Sequence, residues 1–227
     1  MDRIEIIKAD ITTLTLDAMV NAAKTDLISG GSVYASVHRA AGPELLLACR
    51  QLNGCETGQA KITPGYHSQA KYIIHTVCPA WHGGDYRETE LLASCYQESL
   101  KLAVQYDCET IAFPALGCGL LAFPIPKAIE VALYEITQCL KKNVTFQNIY
   151  LVCLTNDVYE IYQDLYEQFR STFYAPLTEW TREKAKPSSK KQPRQNLFQT
   201  EQNIKKEKRK AAPVYSLFKN SVDRKKS

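Results

Sequence analysis

The chain has 227 residues, 45% of them hydrophobic and 23% charged, which suits one folded domain with an extension. No apolar run reaches the ~18 residues of a membrane span, and the opening Met1-Asp2-Arg3-Ile4 leads into no signal-peptide core. The formal net charge of +4 conceals a division: residues 1–175 carry 13 Lys+Arg against 19 Asp+Glu, a formal −6, and residues 176–227 carry 15 against 5, a formal +10.

Ile4 to Lys8 alternates in polarity and reads as an opening strand, followed by a turn, Ala9 to Thr13, with Asp10 in it. Asp17 to Ala23 is a second strand. It runs into the small-residue loop Ser29-Gly30-Gly31-Ser32 and then a segment with Val33, Val37 and Ala40 at helical spacing. Pro43 opens a helix that Asn53-Gly54 stops. Gln59–Thr63 and Tyr72–Val77 read as strands across a turn at Pro64-Gly65. Trp81 to Asp85 is a loop, in which His82 and Asp85 are either solvated or an acid–base pair. Glu88 to Tyr106 has the spacing of an amphipathic helix. Thr110 to Leu116 reads as a buried strand, leading through Gly117-Cys118-Gly119 to a helix from Pro126 to Lys141. Asn148 to Leu154 is apolar enough for a strand buried on both faces, and Asn156 caps a last helix to about Phe173. Strands alternating with helices imply a three-layer α/β/α sandwich with a mixed central sheet.

The eight cysteines are scattered, with no Cys-x-x-Cys pair, which gives a zinc site little support. They read as reduced, mostly buried thiols in a cytoplasmic, monomeric protein without metal or cofactor. A eukaryotic source would allow a nuclear location, given the basic end. Past Pro176 the chain turns polar and basic, and apolar residues are too sparse to offset ordering entropy. The expected organisation is a domain over 1–175 and a largely disordered basic tail over 176–227. The tail reads either as a solubilising extension or as a contact for nucleic acid or an acidic partner.

Two strand–glycine–helix junctions in one α/β chain could clasp a diphosphate between them. Glycines admit a ligand to the backbone, and helix N-termini offer unpaired N–H groups to an anion. In the first junction the loop is Ser29-Gly30-Gly31-Ser32; in the second it runs from Gly117 to Pro124.

At these residues the sequence resembles a macrodomain, the ADP-ribose-binding α/β/α module, over roughly residues 1–173. The matching motifs are Asp10-Ile11-Thr12, Asp17-Ala18-Met19-Val20-Asn21-Ala22-Ala23, His38-Arg39-Ala40-Ala41-Gly42-Pro43, and Phe113 to Gly119 followed by Phe123-Pro124. The resemblance implies that Asp10 accepts a hydrogen bond from the adenine amino group and that the Ile11 backbone contacts the ring. It implies that Asn21 belongs to the binding motif. Gly30, Gly31, Ser32 and Val33 would line the first phosphate and the terminal ribose. Leu116, Gly117, Cys118, Gly119 and Leu120 would give amides to the diphosphate, with Phe123 against the terminal ribose.

Two departures bear on activity. Where the family's hydrolytic branch has Asn and Asp to orient the ribose and a water, this chain has Lys24 and Tyr34. Tyr34, with a pKa near ~10, is a poor proton acceptor at neutral pH. Lys24 is then a solvated rim charge, a ligand contact or a substitute catalyst. Tyr34 fills an emptied pocket or touches the ligand. Cys118 is a small filler or an activated thiol, and His38 and His75 read as core histidines. The resulting expectation is a reader of ADP-ribose or ADP-ribosylated protein with weak or no hydrolase activity. The alternatives are a mono-ADP-ribosyl-protein hydrolase or O-acetyl-ADP-ribose deacetylase, and a degenerate module that acts through its tail.

Overall fold

The structure, a computed structural model, describes residues 3–142 and 145–173. The basic tail and the division at 175/176 lie outside these. The strands are β1 (Ile4–Lys8), β2 (Leu16–Ala23), β3 (Ala60–Pro64), β4 (Ala70–Val77), β5 (Thr110–Pro114) and β6 (Asn148–Cys153). The helices are α1 (Ser32–Ala41), α2 (Pro43–Gln51), α3 (Glu88–Gln105), α4 (Ile125–Lys142) and α5 (Asn156–Phe173). A single 3₁₀ turn, Ile11–Thr13, follows β1.

The six strands form one sheet in the order β1-β6-β5-β2-β4-β3. Five run parallel, and β3 is the antiparallel edge strand, paired with β4 through Ile62↔Ile74. Alternate residues of each central strand face opposite layers. Met19, Ile73 and Ala112 enter the core beneath α1 and α2, with Val37, Ala41, Leu45 and Cys49. Phe113, one residue on, stacks on Tyr96 of α3 with ring centroids 5.0 Å apart. Helices α3, α4 and α5 pack side by side. The three-layer sandwich expected from the sequence is present.

Parallel strands deliver their C-terminal ends to one edge of the sheet. The residues after β1, β2, β4, β5 and β6 therefore gather there. β2 and β5 are neighbours, yet β2 leads to α1 and β5 to α4 in the row with α3 and α5. A crevice opens where the chain switches faces in this way, and such crevices are where α/β sheets bind ligands.

Two local expectations differ from the structure. The inward residue at the end of α1 is Ala41 rather than Ala40, because Ala41 follows Val37 at i+4 and so falls on the same helix face. Strand β6 stops at Cys153, and Leu154 is 64% exposed at the crevice.

Candidate functional site

At the ends of β1 and β6 lies a cleft of about 340 Å³, its open mouth included. Asp10 and Ile11 form one wall, Ser32, Val33 and Ser36 of α1 another, with Pro114, Val152 and Leu154 beyond. Asp10 caps the 3₁₀ turn: its Oδ1 accepts from Thr12 N at 3.0 Å and Thr12 Oγ1 at 2.8 Å. The other oxygen makes no hydrogen bond to the described residues. The cap fixes the carboxylate and leaves one oxygen to accept from a ligand.

The first loop is locked by its own backbone. Lys24 N donates to Ser29 O at 3.0 Å, Leu27 N donates to Lys24 O at 2.9 Å, and Ala23 pairs with Gly30. Leu27 takes a left-handed φ of 60° to bury its side chain completely beneath the loop. Asp26 accepts from Ile28 N at 3.0 Å and Ser29 Oγ at 2.8 Å. The Ser29 hydroxyl, the neighbouring amides and the charge of Lys24 hold its carboxyl below the usual range. Lys24 is exposed, and its ammonium makes no hydrogen bond or ion pair to the described residues.

Beyond the loop, α1 begins with Gly31 as N-cap and no side-chain capping bond. Its first amides are left to water or an anion. Tyr34 does not project into this opening. Its ring packs on His38, centroids 4.0 Å apart, and lies so close under Gly30 that a Cβ there would sit 2.4 Å from Tyr34 Cβ. Burial, with Cys49 and Asp26 nearby, raises its phenol pKa above 10. The phenol has no base character at neutral pH.

The second loop turns at Gly117 (φ +82°), where Phe123 N donates back to Gly117 O at 3.1 Å. The amides of Gly119 and Leu120 have no acceptor among the described residues. A Cβ at Gly31 would meet Leu120 Cδ1 at 3.7 Å, so the two loops face each other across the crevice. Leu120 itself is 92% exposed. Phe123 is buried, its ring packed at 4.6 Å on Trp81. Cys118 is not an activated thiol: burial pushes its pKa up to about 11, and its Sγ lies 3.7 Å from Leu116 O. Leu116 is buried at the root of the loop.

Asn21 lies wholly inside, on the α1/α2 face, with its Nδ2 3.1 Å from His75 Nδ1. Its Oδ1 is buried without a partner. His75 also meets Thr63 Oγ1 at 3.0 Å and Cys49 Sγ at 3.8 Å; burial and the nearby His38 pull its pKa to about 3. His75 is the satisfied core histidine that its apolar pattern suggested. His38 is half-buried, and its Nε2 lacks a partner. His82 and Asp85 are exposed, and neither a hydrogen bond nor an ion pair joins them. Among the described residues no three His, Cys, Asp or Glu side chains converge as metal ligands, and no helix is long and apolar enough to cross a membrane.

The structure thus brings Asp10, Ile11, Gly30–Val33 and Leu116–Phe123 to one edge, where Lys24, the first residue after β2, also lies. Ala9, Ser36, Pro114, Val152 and Leu154 also line the cleft; Pro114 lies in a matching motif, but none of the five was a candidate, since each is a small or apolar residue. The Macro domain family model matches residues 20–132. A macro domain-containing protein of Chlorobaculum tepidum is 49% identical over 70% of this chain and 93% of its own. An O-acetyl-ADP-ribose deacetylase of Citrobacter rodentium is 42% identical over 73% of this chain and 96% of its own. The Trypanosoma brucei macrodomain solved in complex with ADP-ribose superposes with a TM-score of 0.67 at 34% identity, covering 71% of this chain and 68% of that one. Fold, motif order and relatives agree, and the chain belongs to the macrodomain family.

Proposed function

We propose that this protein binds ADP-ribose, free or carried on a protein, and turns it over slowly or not at all. The observation that carries the reading is the uncapped N-terminus of α1 facing the open amides of Gly119 and Leu120. Two sets of neutral N–H dipoles hold a diphosphate without a metal. The adenine then lies in the cleft beside Ile11, its amino group donating to the free oxygen of Asp10. The terminal ribose lies toward Phe123 and the rim at Lys24.

Weak turnover follows from the two departures. Hydrolysis needs a group that positions or deprotonates water. Tyr34 faces His38 and Gly30 rather than the crevice, and its phenol stays protonated. Lys24 offers a cation with three donors but no acceptor. The deacetylase among the relatives favours a second reading, hydrolysis of an ester on the terminal ribose with Lys24 stabilising the developing charge. Calorimetry with ADP-ribose, followed by a hydrolysis assay on the same sample, separates these. The expected result is a low-to-mid micromolar Kd, roughly −7 to −8 kcal/mol, with turnover near background. Absence of binding at millimolar ligand would sink both readings, and robust turnover would favour the second.

A further inference from the structure

The loop between β4 and α3 is wound around one side chain. Glu88, the first residue of α3, is 1% exposed. Its Oε1 accepts from His82 N at 3.0 Å and Gly84 N at 3.1 Å, and its Oε2 accepts from Tyr86 N at 2.7 Å. Every second amide of the loop turns inward to one carboxylate. Gly83 (φ +111°), Gly84 (φ +99°) and Arg87 (φ +60°) supply the left-handed backbone that this path requires. Burial opposes ionisation, but these backbone N–H groups and that of Glu88 itself outweigh it and hold the pKa at about 2.

The clamp continues into the second loop. A Cβ on Gly84 would lie 2.9 Å from the Trp81 ring, so the loop backbone lies directly against the indole. Another part of the indole meets Phe123 at 4.6 Å, and Lys127 Nζ stands 4.9 Å from its centroid. Trp81 N also donates to Leu121 O at 2.9 Å. Phe123 in turn sits 3.1 Å from where a Gly117 Cβ would be. An unbroken series of contacts therefore runs from the Glu88 carboxylate to the turn of the second loop.

We propose that Glu88 is a positioning residue for the terminal-ribose end of the site: it gathers the 82–86 amides, fixes Trp81, and through Trp81 fixes Phe123 and the far side of the second loop. The proposal rests on the ADP-ribose reading above and adds that affinity for the terminal ribose, as distinct from the diphosphate, depends on this clamp. Gln retains the size of Glu but donates at one end and has no charge, so it cannot accept all three amides.

The test compares ADP-ribose with ADP, which lacks the terminal ribose, by calorimetry on the full chain. Wild type is expected to bind ADP-ribose more tightly than ADP. Glu88→Gln is expected to leave the ADP Kd within about twofold and to weaken ADP-ribose at least tenfold. A role in stability alone would lower the melting temperature and leave the ratio of the two affinities unchanged, which overturns the proposal. Equal wild-type affinities for both ligands would also overturn it, while leaving the binding reading intact. Failure of wild type to bind either ligand would instead sink that reading. If Glu88→Gln does not fold, Trp81→Phe and Trp81→Ala decide. Phe is expected to retain the ratio and Ala to lose it, and an unchanged ratio in Ala would overturn the series of contacts.

Discussion

Gly119→Glu is the sharpest test of where the diphosphate lies. A Cβ at Gly119 meets nothing within 4 Å, and its φ is outside the left-handed range, so the folded chain accepts a side chain there without strain. Gly117 differs, with φ +82° and Phe123 3.1 Å from its missing Cβ. The new carboxylate would stand beside the loop amides. At ~5 Å from a phosphate, with an effective dielectric of ~20–80, each like-charge pair costs roughly 1–3 kcal/mol. Displacing the diphosphate from charge-assisted amide bonds costs about 1.5–3 kcal/mol for each bond lost. With one such pair and the bonds to the open amides of Gly119 and Leu120 both lost, the cost is at least roughly 4 kcal/mol, about a thousandfold in Kd, which removes measurable binding from a micromolar site. Calorimetry with ADP-ribose is the assay, with thermal unfolding as control and Gly119→Ala as the neutral companion, expected within about threefold of wild type. A folded Gly119→Glu protein that binds as wild type does would remove the second loop from the site.

Three further outcomes are expected. Asp10→Ala should weaken ADP-ribose by about 1.5–3 kcal/mol and cost about 0.5–2 kcal/mol of stability through the lost cap; Asp10→Asn, which keeps the cap, should show the binding loss alone in paired calorimetry and melting. Acid should destabilise the fold well before its carboxylates protonate, because His75 titrates near 6.5 when unfolded and at about 3 when folded, so the unfolded chain takes up the proton and stability falls as pH drops from 6.5 toward 3. By pH 5 the loss is about 2 kcal/mol, and a urea midpoint that stays flat from pH 7 to 5 would refute the burial argument. Lys24→Asn with Tyr34→Asp restores an amide and a carboxylate, and should raise hydrolysis of an acidic-residue-linked ADP-ribosyl substrate by about 10²–10⁴-fold; robust wild-type turnover lost in Lys24→Ala would reverse the assignment.

What the sequence disclosed followed from local pattern. Strand β2, the glycine loop and α1 announce themselves within about twenty residues, as do β5, its loop and α4, because periodicity and glycine placement are near-neighbour signals. Much of the cleft wall was not legible. Val152 and Leu154 reach Asp10 because β1 pairs with β6 in the register Ile4↔Ile149, a contact across most of the domain. Leu154 looked like one more core residue, and only the end of the strand at Cys153 exposes it. Tyr34 was visible as a departure, but its packing under Gly30 was not, since a tyrosine on the first turn of a helix can point either way. Glu88 looked like an ordinary acidic residue at a helix start. Its role depends on a loop that turns back on it, and the Gly83-Gly84 pair was the faint signal.

On the reading proposed above, Lys24 and Tyr34 push in one direction. The backbone of Lys24 is held by Ser29 and Leu27, Asp26 accepts from Ile28 and Ser29, and the Lys24 ammonium makes no hydrogen bond or ion pair to the described residues. A cation near a bound diphosphate would lower its energy in every state of the reaction alike, and uniform binding of this kind tightens a complex without speeding the chemical step. Tyr34 would supply no base, since its ring packs on His38 and its hydroxyl holds its proton. Either change alone could be offset, because a cation can coexist with a base and a missing base can be replaced by a ligand hydroxyl. Under the proposed reading the two together would give binding without fast turnover, a site that retains its ligand.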